Sequence, residues 1–258
     1  MTKAQSGHCI WITGASSGIG KAVAHAYAAA GHTVAASARS RDALDTLAEE
    51  GAHLPGKIMP VPLDVTDKNA AEAAVERIET TIAPIATAIL NAGIYLPVDA
   101  AAEFDPAPYL RSMDVNYNGT VHCLLPAIRQ MLTRQSGHVV IVSSVTGYGG
   151  LPTSAAYGPT KAALINLAQS IKFDLDPHGI KTSIVCPGFV DTPATETNAF
   201  PMPFLVPTDI AAQRIVDGIA AGKFEITFPR RFTFALKFLN MLPYRLYFPI
   251  VRRMTGWS

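Results

Sequence analysis

The sequence has few cysteines, and the three that it contains are far apart. Cys9, Cys123 and Cys186 lie inside apolar stretches and show neither the spacing of metal ligands nor a disulfide framework. We therefore expect three buried thiols, which suits a reducing compartment such as the cytoplasm. The seven histidines are scattered without the paired spacing of a zinc site. The sequence accordingly predicts no metal.

Long apolar runs are lacking as well. No run of 18 or more uncharged apolar residues occurs, so the sequence predicts no membrane-spanning helix. The segment from Met1 to Gly7 is polar and short, without the apolar region of a signal peptide. The formal net charge is only +1, which gives no indication of a nucleic-acid partner.

Acidic residues are missing from the last part of the chain. From Ile226 onward there are six basic residues and no Asp or Glu, whereas the preceding residues are acidic on balance. Between Phe232 and Val251, 14 of 20 residues are apolar or aromatic, and Pro243 and Pro249 are expected to divide them into short helical pieces. Two interpretations remain open. The segment covers a pocket or forms a subunit interface, or it lies on an anionic membrane as a peripheral anchor.

What the chain does have is a regular alternation of short apolar runs and longer helical patterns. Continuous runs such as Val139–Val142 are typical of strands that helices cover on both faces. The predicted strands are Cys9–Thr13, Thr33–Ala38, Ile58–Leu63, Ala86–Asn91, His138–Ser143, Lys181–Cys186 and Phe224–Phe228. The predicted helices are Gly18–Ala30, Arg41–Glu50, Asp67–Ile82, Pro106–Arg134, Ala155–Asp176 and Pro207–Ala221.

This alternation predicts an α/β fold with a Rossmann-like, doubly wound parallel sheet of about seven strands. We expect one domain, in which residues 1–229 form the dinucleotide-binding part. Residues 230–258 are expected to be an apolar, basic extension of the same domain.

A glycine-rich turn follows the first predicted strand. The residues Gly14-Ala15-Ser16-Ser17-Gly18-Ile19-Gly20 lead directly into a helix. Glycines allow the unusual backbone angles of such a turn and a close approach to phosphates, and the helix N-terminus offers free N–H groups. In this strand–turn–helix context we predict a cofactor site at Gly14, Ser16, Ser17, Gly18, Ile19 and Gly20.

Further motifs follow in a fixed order. They are Asp64-Val65, Asn91-Ala92-Gly93, Asn116, Ser144, Tyr157 with Lys161, and Pro187-Gly188 with Thr192. In this combination the chain resembles the short-chain dehydrogenase/reductase family from about Ile10 to Thr192. The resemblance implies hydride transfer between a nicotinamide dinucleotide and a carbonyl or secondary alcohol, in a homodimer or homotetramer.

The end of the second predicted strand bears on the choice of dinucleotide. An acidic residue there would accept hydrogen bonds from the adenosine ribose and select NAD(H), but this position is Ala38. Arg39 follows, and its guanidinium suits a 2′-phosphate, with Ser40 and Arg41 as further donors. The sequence therefore favours NADP(H) over NAD(H).

The resemblance also implies roles for other residues around the cofactor. Asp64 and Val65 would contact the adenine, and Asn91 with Ala92 and Gly93 would lie beside the cofactor. Val190 and Thr192, together with Pro187 and Gly188, would hold the nicotinamide half.

Tyr157 and Lys161 are four residues apart and share one face of a helix. A nearby lysine cation is expected to lower the pKa of the tyrosine and so to favour acid–base transfer. By resemblance, Ser144 would hydrogen-bond the reacting oxygen, with Ser143 as the alternative. Asn116, or less favourably Asn118, would hold a water in a proton relay to the lysine. Pro159 departs from the family pattern, so the helix either bends or begins later.

Aromatic residues near the catalytic strand ends suggest an apolar substrate. Tyr95, Tyr148 and Phe189 are the candidates, and the segment from Ala194 to Pro207, with Phe200, Met202 and Phe204, resembles a substrate loop. We expect a steroid, a long-chain ketone or an aromatic ketone. The alternatives are a ketoacyl-thioester reductase and, outside enzymes, a dinucleotide-sensing regulator.

Overall fold

The structure is a computed structural model that describes residues 8–195, 202 and 204–256. Seven parallel strands form one sheet: β1 (Cys9–Thr13), β2 (Thr33–Ser37), β3 (Lys57–Pro60), β4 (Ile85–Leu90), β5 (Gly137–Val142), β6 (Ile180–Pro187) and β7 (Glu225–Phe228). Their order across the sheet is β3-β2-β1-β4-β5-β6-β7. This order confirms the predicted doubly wound, Rossmann-like sheet.

The helices cover both faces of this sheet. They are α1 (Gly18–Ala29), α2 (Arg41–Glu50), α3 (Lys68–Thr81), α4 (Ala107–Met113), α5 (Gly119–Arg134), α6 (Gly158–Leu175), α7 (Thr208–Ala220), α8 (Arg230–Asn240) and α9 (Tyr244–Thr255). Short helical turns of other kinds lie at Asp114–Asn118, Val145–Gly147 and Asp176–His178.

Two hydrophobic layers hold the helices on the sheet, and β1 contributes to both. Trp11 is fully buried on one side with Leu124 and Leu164, whereas Ile12 is fully buried on the other side with Val23. Neighbouring residues of a strand point to opposite faces, so an apolar side chain at every position is buried in one layer or the other. Each such side chain contributes about 1.5–3 kcal/mol on burial.

The fourth predicted helix, Pro106–Arg134, is interrupted. Between α4 and α5 the residues Asp114–Asn118 form one π-helical turn, and the Gly119 N–H donates to the Asp114 carbonyl. Asn116 lies in this turn, and its side chain hydrogen-bonds to the backbone of Ile94 on the loop after β4. The apolar spacing of the sequence does not reveal such a turn, because it shifts the helix by a single residue.

The C-terminal segment forms two helices that pack on the rest of the chain. Leu239 of α8 and Tyr247 and Val251 of α9 are buried together. As predicted, a proline separates the pieces, since Pro243 caps α9. The expectation that Pro249 also interrupts the helix is wrong, because α9 continues through it. Burial of Tyr247 and Val251 on either side offsets the hydrogen bond that Pro249 cannot make.

None of the helices in the part of the chain that the structure describes combines the length and the apolar composition that a membrane crossing would need.

Candidate active site

The glycine-rich turn connects β1 to α1 at the carboxyl end of the sheet. Gly14 has φ +66°, and a Cβ there would lie 2.8 Å from the Cα of Ala92. At Gly20 a Cβ would lie 2.2 Å from the Gly14 carbonyl oxygen. Glycine is therefore required at both positions, at the first by conformation and contact and at the second by contact alone.

The ends of β1 and β4 are tied together beside this turn. The Thr13 hydroxyl oxygen accepts the N–H groups of Asn91 (3.0 Å) and Ala92 (3.1 Å). The Asn91 side-chain amide donates to the carbonyl oxygens of Thr13 and Gly14, each at 3.1 Å. The Asn91 side chain thus braces the two strands, and it also fixes the start of the turn.

Gly93, the next residue but one, faces two of the predicted catalytic side chains. A Cβ on Gly93 would lie 3.2 Å from Asn116 Oδ1 and 3.4 Å from Lys161 Nζ. Asn116 Oδ1 accepts the Ile94 N–H at 2.7 Å, and its Nδ2 donates to the Ile94 carbonyl (3.0 Å) and to Thr160 Oγ1 (3.1 Å). Asn116 therefore connects the loop after β4 to the first turn of α6. The alternative residue, Asn118, is exposed.

Tyr157 lies at the start of α6, immediately before the helix. It is the N-cap residue, and its carbonyl accepts the N–H groups of Thr160 (3.1 Å) and Lys161 (3.3 Å). Pro159 occupies the first turn of the helix, where its missing N–H removes no intrahelical bond. Of the two outcomes expected from Pro159, the later helix start is the one found.

Ser144 follows β5 and lies close enough to the Tyr157 hydroxyl to lower its pKa. The preceding Ser143 is turned away, because its hydroxyl donates to the Lys161 carbonyl at 2.7 Å. The edge of the Tyr95 ring packs against the Tyr157 ring, with centroids 5.1 Å apart. Between the two serines, the geometry favours Ser144 as the partner of the tyrosine.

Lys161 is buried beside Tyr157. Its Nζ donates to the Val142 carbonyl at 3.0 Å and lies 5.4 Å from the centroid of the Tyr157 ring. Burial lowers the pKa of Lys161 to about 8, so the side chain is still mostly a cation at pH 7.

The pKa of Tyr157 moves in the opposite direction to the one predicted. Part of its side chain is exposed to the cavity, yet the surrounding protein raises the pKa above the ordinary value. The nearby Ser144 side chain lowers the pKa and so opposes this rise only in part. The expectation of a lowered pKa is wrong for this structure, since desolvation of the phenolate is the largest effect.

The residues predicted to bind the adenosine half of the cofactor lie at the carboxyl ends of β2 and β3. Ala38 is buried and Arg39 is exposed, and both line the cavity together with Asp64. Asp64 Oδ1 accepts the N–H and hydroxyl of Thr66, which hold the pKa of Asp64 below its ordinary value, helped by Arg39. The two further donors suggested by the sequence are engaged elsewhere. Ser40 caps α2 by accepting the Ala43 N–H, and Arg41 pairs with Asp45 at 3.1 Å.

One cavity of about 470 Å³ brings most of the predicted site together. The predicted residues that line it are Gly14, Ser16, Ser17, Gly18, Ile19, Arg39, Asp64, Val65, Asn91, Ala92, Gly93, Tyr95, Ser144, Tyr157, Lys161, Pro187, Gly188, Phe189, Val190 and Thr192. Of the predicted substrate loop, Ala194 lines the cavity and Phe204 is described, but Phe200 lies outside the described residues.

Three predicted residues lie outside this cavity. Gly20 packs behind the turn, and Asn116 acts from behind Gly93. Tyr148 belongs to a separate polar cluster, where its hydroxyl donates to Glu225 at 2.8 Å and Lys237 pairs with the same carboxylate. Burial raises the pKa of Tyr148. The structure therefore does not support Tyr148 as a residue that contacts substrate.

The sequence reasoning missed several lining residues. Arg111 on α4 lines the cavity and contributes to the low pKa of Asp64. Thr146 also lines it, and its buried hydroxyl has no hydrogen-bond partner among the described residues. Leu236 and Met254 reach it from the C-terminal helices. No motif marks these positions, although Thr146 is only two residues after the predicted Ser144 and could have been expected near it.

Comparisons with known proteins agree with this geometry. A sequence model of the short chain dehydrogenase family matches residues 8–200. The chain belongs to the short-chain dehydrogenase/reductase family. It is thus an oxidoreductase of alcohol and carbonyl groups, with a nicotinamide dinucleotide as cofactor and a small molecule as substrate.

Three relatives illustrate this membership. An uncharacterized oxidoreductase of Myxococcus xanthus is 33% identical over 244 residues, which cover 94% of this chain and 96% of that protein. A 3-oxoacyl-[acyl-carrier-protein] reductase of Thermotoga maritima is 34% identical over 185 residues, covering 72% and 75%. The crystal structure of a short-chain type dehydrogenase/reductase from Mycobacterium marinum has a TM-score of 0.79 and 29% identity, and covers 87% of this chain and 94% of that one.

The residues of this short-chain dehydrogenase fit a dinucleotide. The first turn of α1 presents backbone N–H groups, and the hydroxyls of Ser16 and Ser17 lie on the same cavity wall. This is a donor set suited to a pyrophosphate. The cofactor, when bound, supplies or accepts the hydride.

Proposed function

We propose that the protein is an NADP(H)-dependent oxidoreductase that interconverts a lipophilic carbonyl and its secondary alcohol. The observation that carries the proposal is the juxtaposition of Ser144, Tyr157 and Lys161 in the cavity that begins at the glycine turn. Separate elements, β5 and α6, bring these side chains together. Their chemistry is that of proton transfer to an oxygen atom.

In this mechanism Tyr157 is the acid and base. Because burial raises its pKa, the hydroxyl is protonated at neutral pH and ready to donate its proton to a carbonyl oxygen. Ser144, which lines the cavity beside Tyr157, would bind the same oxygen and fix its position. The Lys161 cation would stabilise the phenolate that proton donation leaves behind.

Asn116 would support this arrangement as a positioning residue. Its amide joins the backbone of Ile94 to Thr160, and the Thr160 hydroxyl donates to the Tyr157 carbonyl at 2.7 Å. The proposed relay of protons to Lys161 would pass near Gly93, where Asn116 Oδ1 and Lys161 Nζ both approach.

The preference for NADP(H) rests on the end of β2. A small buried side chain, Ala38, stands where a carboxylate would repel a 2′-phosphate, and Arg39 lines the cavity next to it. The guanidinium of Arg39 can bind a phosphate with two hydrogen bonds. Arg111 also lines the cavity, where it pairs with Asp114 at 3.5 Å.

The preference for a lipophilic substrate rests on the opposite end of the cavity. Phe189 and Phe232 pack there with ring centroids 5.7 Å apart, and Leu151, Leu236 and Leu239 complete the wall. Such a lining buries apolar ligand surface, while Ser144 and Tyr157 orient the single polar group. Tyr95 remains a candidate substrate contact because it lines the cavity beside Tyr157.

The first experiment is an assay of NADPH and NADH oxidation with ketones of graded chain length. The Tyr157→Phe variant is expected to lose activity by about 10²–10⁴-fold, because the proton donor is removed while the ring still packs. Its affinity for NADPH should be nearly unchanged. Tyr109→Phe is the matched control, since Tyr109 is a half-buried tyrosine on α4 that is absent from the cavity wall. Turnover retained by Tyr157→Phe would overturn the mechanism.

A ketoacyl-thioester reductase is the second candidate. It is favoured by the similarity to the Thermotoga maritima enzyme. A 3-oxoacyl thioester belongs in the same panel, and a kcat/KM far above that of simple ketones would select this alternative. A chain that binds NADPH but turns over no carbonyl of the panel would instead be a dinucleotide sensor.

The predicted homodimer or homotetramer and the predicted cytoplasmic location remain proposals. Light scattering of the purified chain measures the first directly.

A further inference from the structure

The two C-terminal helices carry an unusual share of the exposed apolar surface. In the part of the chain that the structure describes, eight of eighteen exposed large hydrophobic side chains lie between residues 234 and 254. Phe238, Met241 and Tyr244 are 63%, 81% and 74% exposed. We call the exposed side chains of residues 230–254 the C-terminal surface. Exposed apolar side chains that are concentrated in one patch mark an interaction site, whereas single scattered ones are normal on a protein surface.

The charge of the C-terminal surface is of one sign. Its arginines are all exposed, and none forms an ion pair with a described residue: Arg230, Arg231, Arg245, Arg252 and Arg253. Lys237, by contrast, is neutralised by Glu225. No acidic residue follows Glu225 in the sequence. The surface therefore offers five free cations to an anionic partner.

Apolar and basic side chains occupy adjoining stripes of α9. Tyr244 and Phe248, one turn apart, stack with ring centroids 5.7 Å apart. Arg245 and Arg252 lie on the adjoining stripe of the same helix, because their positions are rotated by about 40–100° from those of Tyr244 and Phe248. Aromatic rings at the level of lipid headgroups, flanked by cations, are typical of helices that lie in a membrane interface.

A second copy of the chain is a poorer occupant of this surface. In a twofold interface the same patch meets itself, so the five arginines would face five more. The C-terminal surface has no carboxylate to compensate them. An anionic bilayer, in contrast, complements both the cations and the apolar side chains.

The C-terminal surface is continuous with the wall of the proposed active site. Met254 lines the cavity and is also 58% exposed, so it lies at the rim. The Phe232 ring, which also lines the cavity, is 6.0 Å from the ring of Phe204, which is exposed. Apolar side chains thus lead from the cavity to the outside beside α8 and α9.

We infer that the C-terminal surface docks the protein on an anionic membrane. The attachment is peripheral: α8 and α9 lie in the plane of the headgroups, with Phe238, Met241 and Tyr244 among the acyl chains and the arginines at the phosphates. If the proposed function holds, this orientation opens the cavity toward lipophilic carbonyls dissolved in the bilayer. The docking itself does not depend on that function.

The test is sedimentation of the full chain with vesicles, in the absence of substrate and cofactor. We expect binding to vesicles that contain phosphatidylserine, little binding to pure phosphatidylcholine, and release by added salt, which screens the attraction. Arg252→Glu combined with Arg253→Glu should weaken binding by at least about tenfold. Phe238→Ser should weaken it as well.

Matched controls separate the surface from general effects. Lys68→Glu with Arg129→Glu makes the same change of net charge at exposed positions elsewhere, and Phe173→Ser removes an exposed phenylalanine of α6. Both controls should bind like the wild type. Wild-type protein that stays in solution with phosphatidylserine vesicles at low salt would overturn the inference. So would a Phe238→Ser variant that changes from oligomer to monomer, because the surface would then join two copies. Activity on a water-soluble ketone without vesicles tests the proposed function separately.

Discussion

At the scale of single residues, the position after β2 offers a direct test of cofactor choice. The double change Ala38→Asp with Arg39→Ala places a carboxylate at the proposed 2′-phosphate site and removes its cation. Loss of a charge-assisted hydrogen bond costs about 1.5–3 kcal/mol. We therefore expect the ratio of kcat/KM for NADPH to that for NADH to fall by about ten- to a hundredfold.

Arg41→Ala is the control for this experiment. Arg41 is two residues away but pairs with Asp45 and does not line the cavity, so its removal should leave the ratio unchanged. A wild-type enzyme that already prefers NADH would show that Arg39 does not select the phosphate.

The residues of the site were predictable where a motif fixes both residue type and position. Gly14, Gly18, Ser144 and Lys161 all line the cavity. The tertiary contacts of a side chain, and therefore its hydrogen-bond partners and its pKa, were not predictable from a motif. Tyr148 lies near the catalytic strand in sequence, yet Glu225 and Lys237, nearly 80 residues or more away, draw it into another cluster. The pKa of Tyr157 likewise depends on burial, which no local pattern reports.

At the scale of elements, the turn between β1 and α1 can be tested by comparing two glycines. Gly14 and Gly31 both have positive φ, but an added Cβ meets Ala92 only at Gly14 and finds open space at Gly31. Gly31→Ala should lower the free energy of unfolding by about 1–2 kcal/mol, the cost of the left-handed conformation. Gly14→Ala should lower it further and also weaken NADPH binding, because the turn must move. Urea unfolding and fluorescence titration measure the two effects; equal losses would contradict the steric argument.

The elements themselves were predictable to different degrees. All seven strands were found from short, mostly apolar runs, which burial on both faces favours. The polar residues inside them, such as His138 and Ser183, are buried and hydrogen-bonded. The start of α6 was left open, because a proline is compatible with the first turn of a helix or with a bend. Pro249 was misjudged for a related reason: packing of Tyr247 and Val251 outweighs a local breaker, and packing is a property of the tertiary structure.

At the scale of the whole molecule, stability should depend on a buried histidine in β5. His138 is 7% exposed and hydrogen-bonds to Ser183 at 2.7 Å, and burial lowers its pKa from 6.5 to about 4. Between these pH values the unfolded chain takes up a proton that the native protein does not, so stability falls as the pH falls. At pH 5 this costs about 2 kcal/mol.

The His138→Gln variant should lose this part of the acid sensitivity. We expect its free energy of unfolding to fall less than that of the wild type between pH 7.5 and pH 5, by about 2 kcal/mol. His178→Gln, at an exposed position, is the matched control and should follow the wild type. An unchanged acid sensitivity in His138→Gln would show that His138 is protonated in the native protein.

The π-helical turn between α4 and α5 determines which side of this helical segment its buried side chains lie on. Ser112, Asn116, Thr120 and Leu124 are all buried, at strict intervals of four residues. In an ideal α-helix each interval of four advances the side chain by about 40°, so the last of them would be rotated by about 120° from the first and would leave the core. One wider turn takes up the surplus residue and brings all four side chains back to the same side. The irregularity that carries Asn116 is therefore also what lets one long helical segment face the sheet along its whole length.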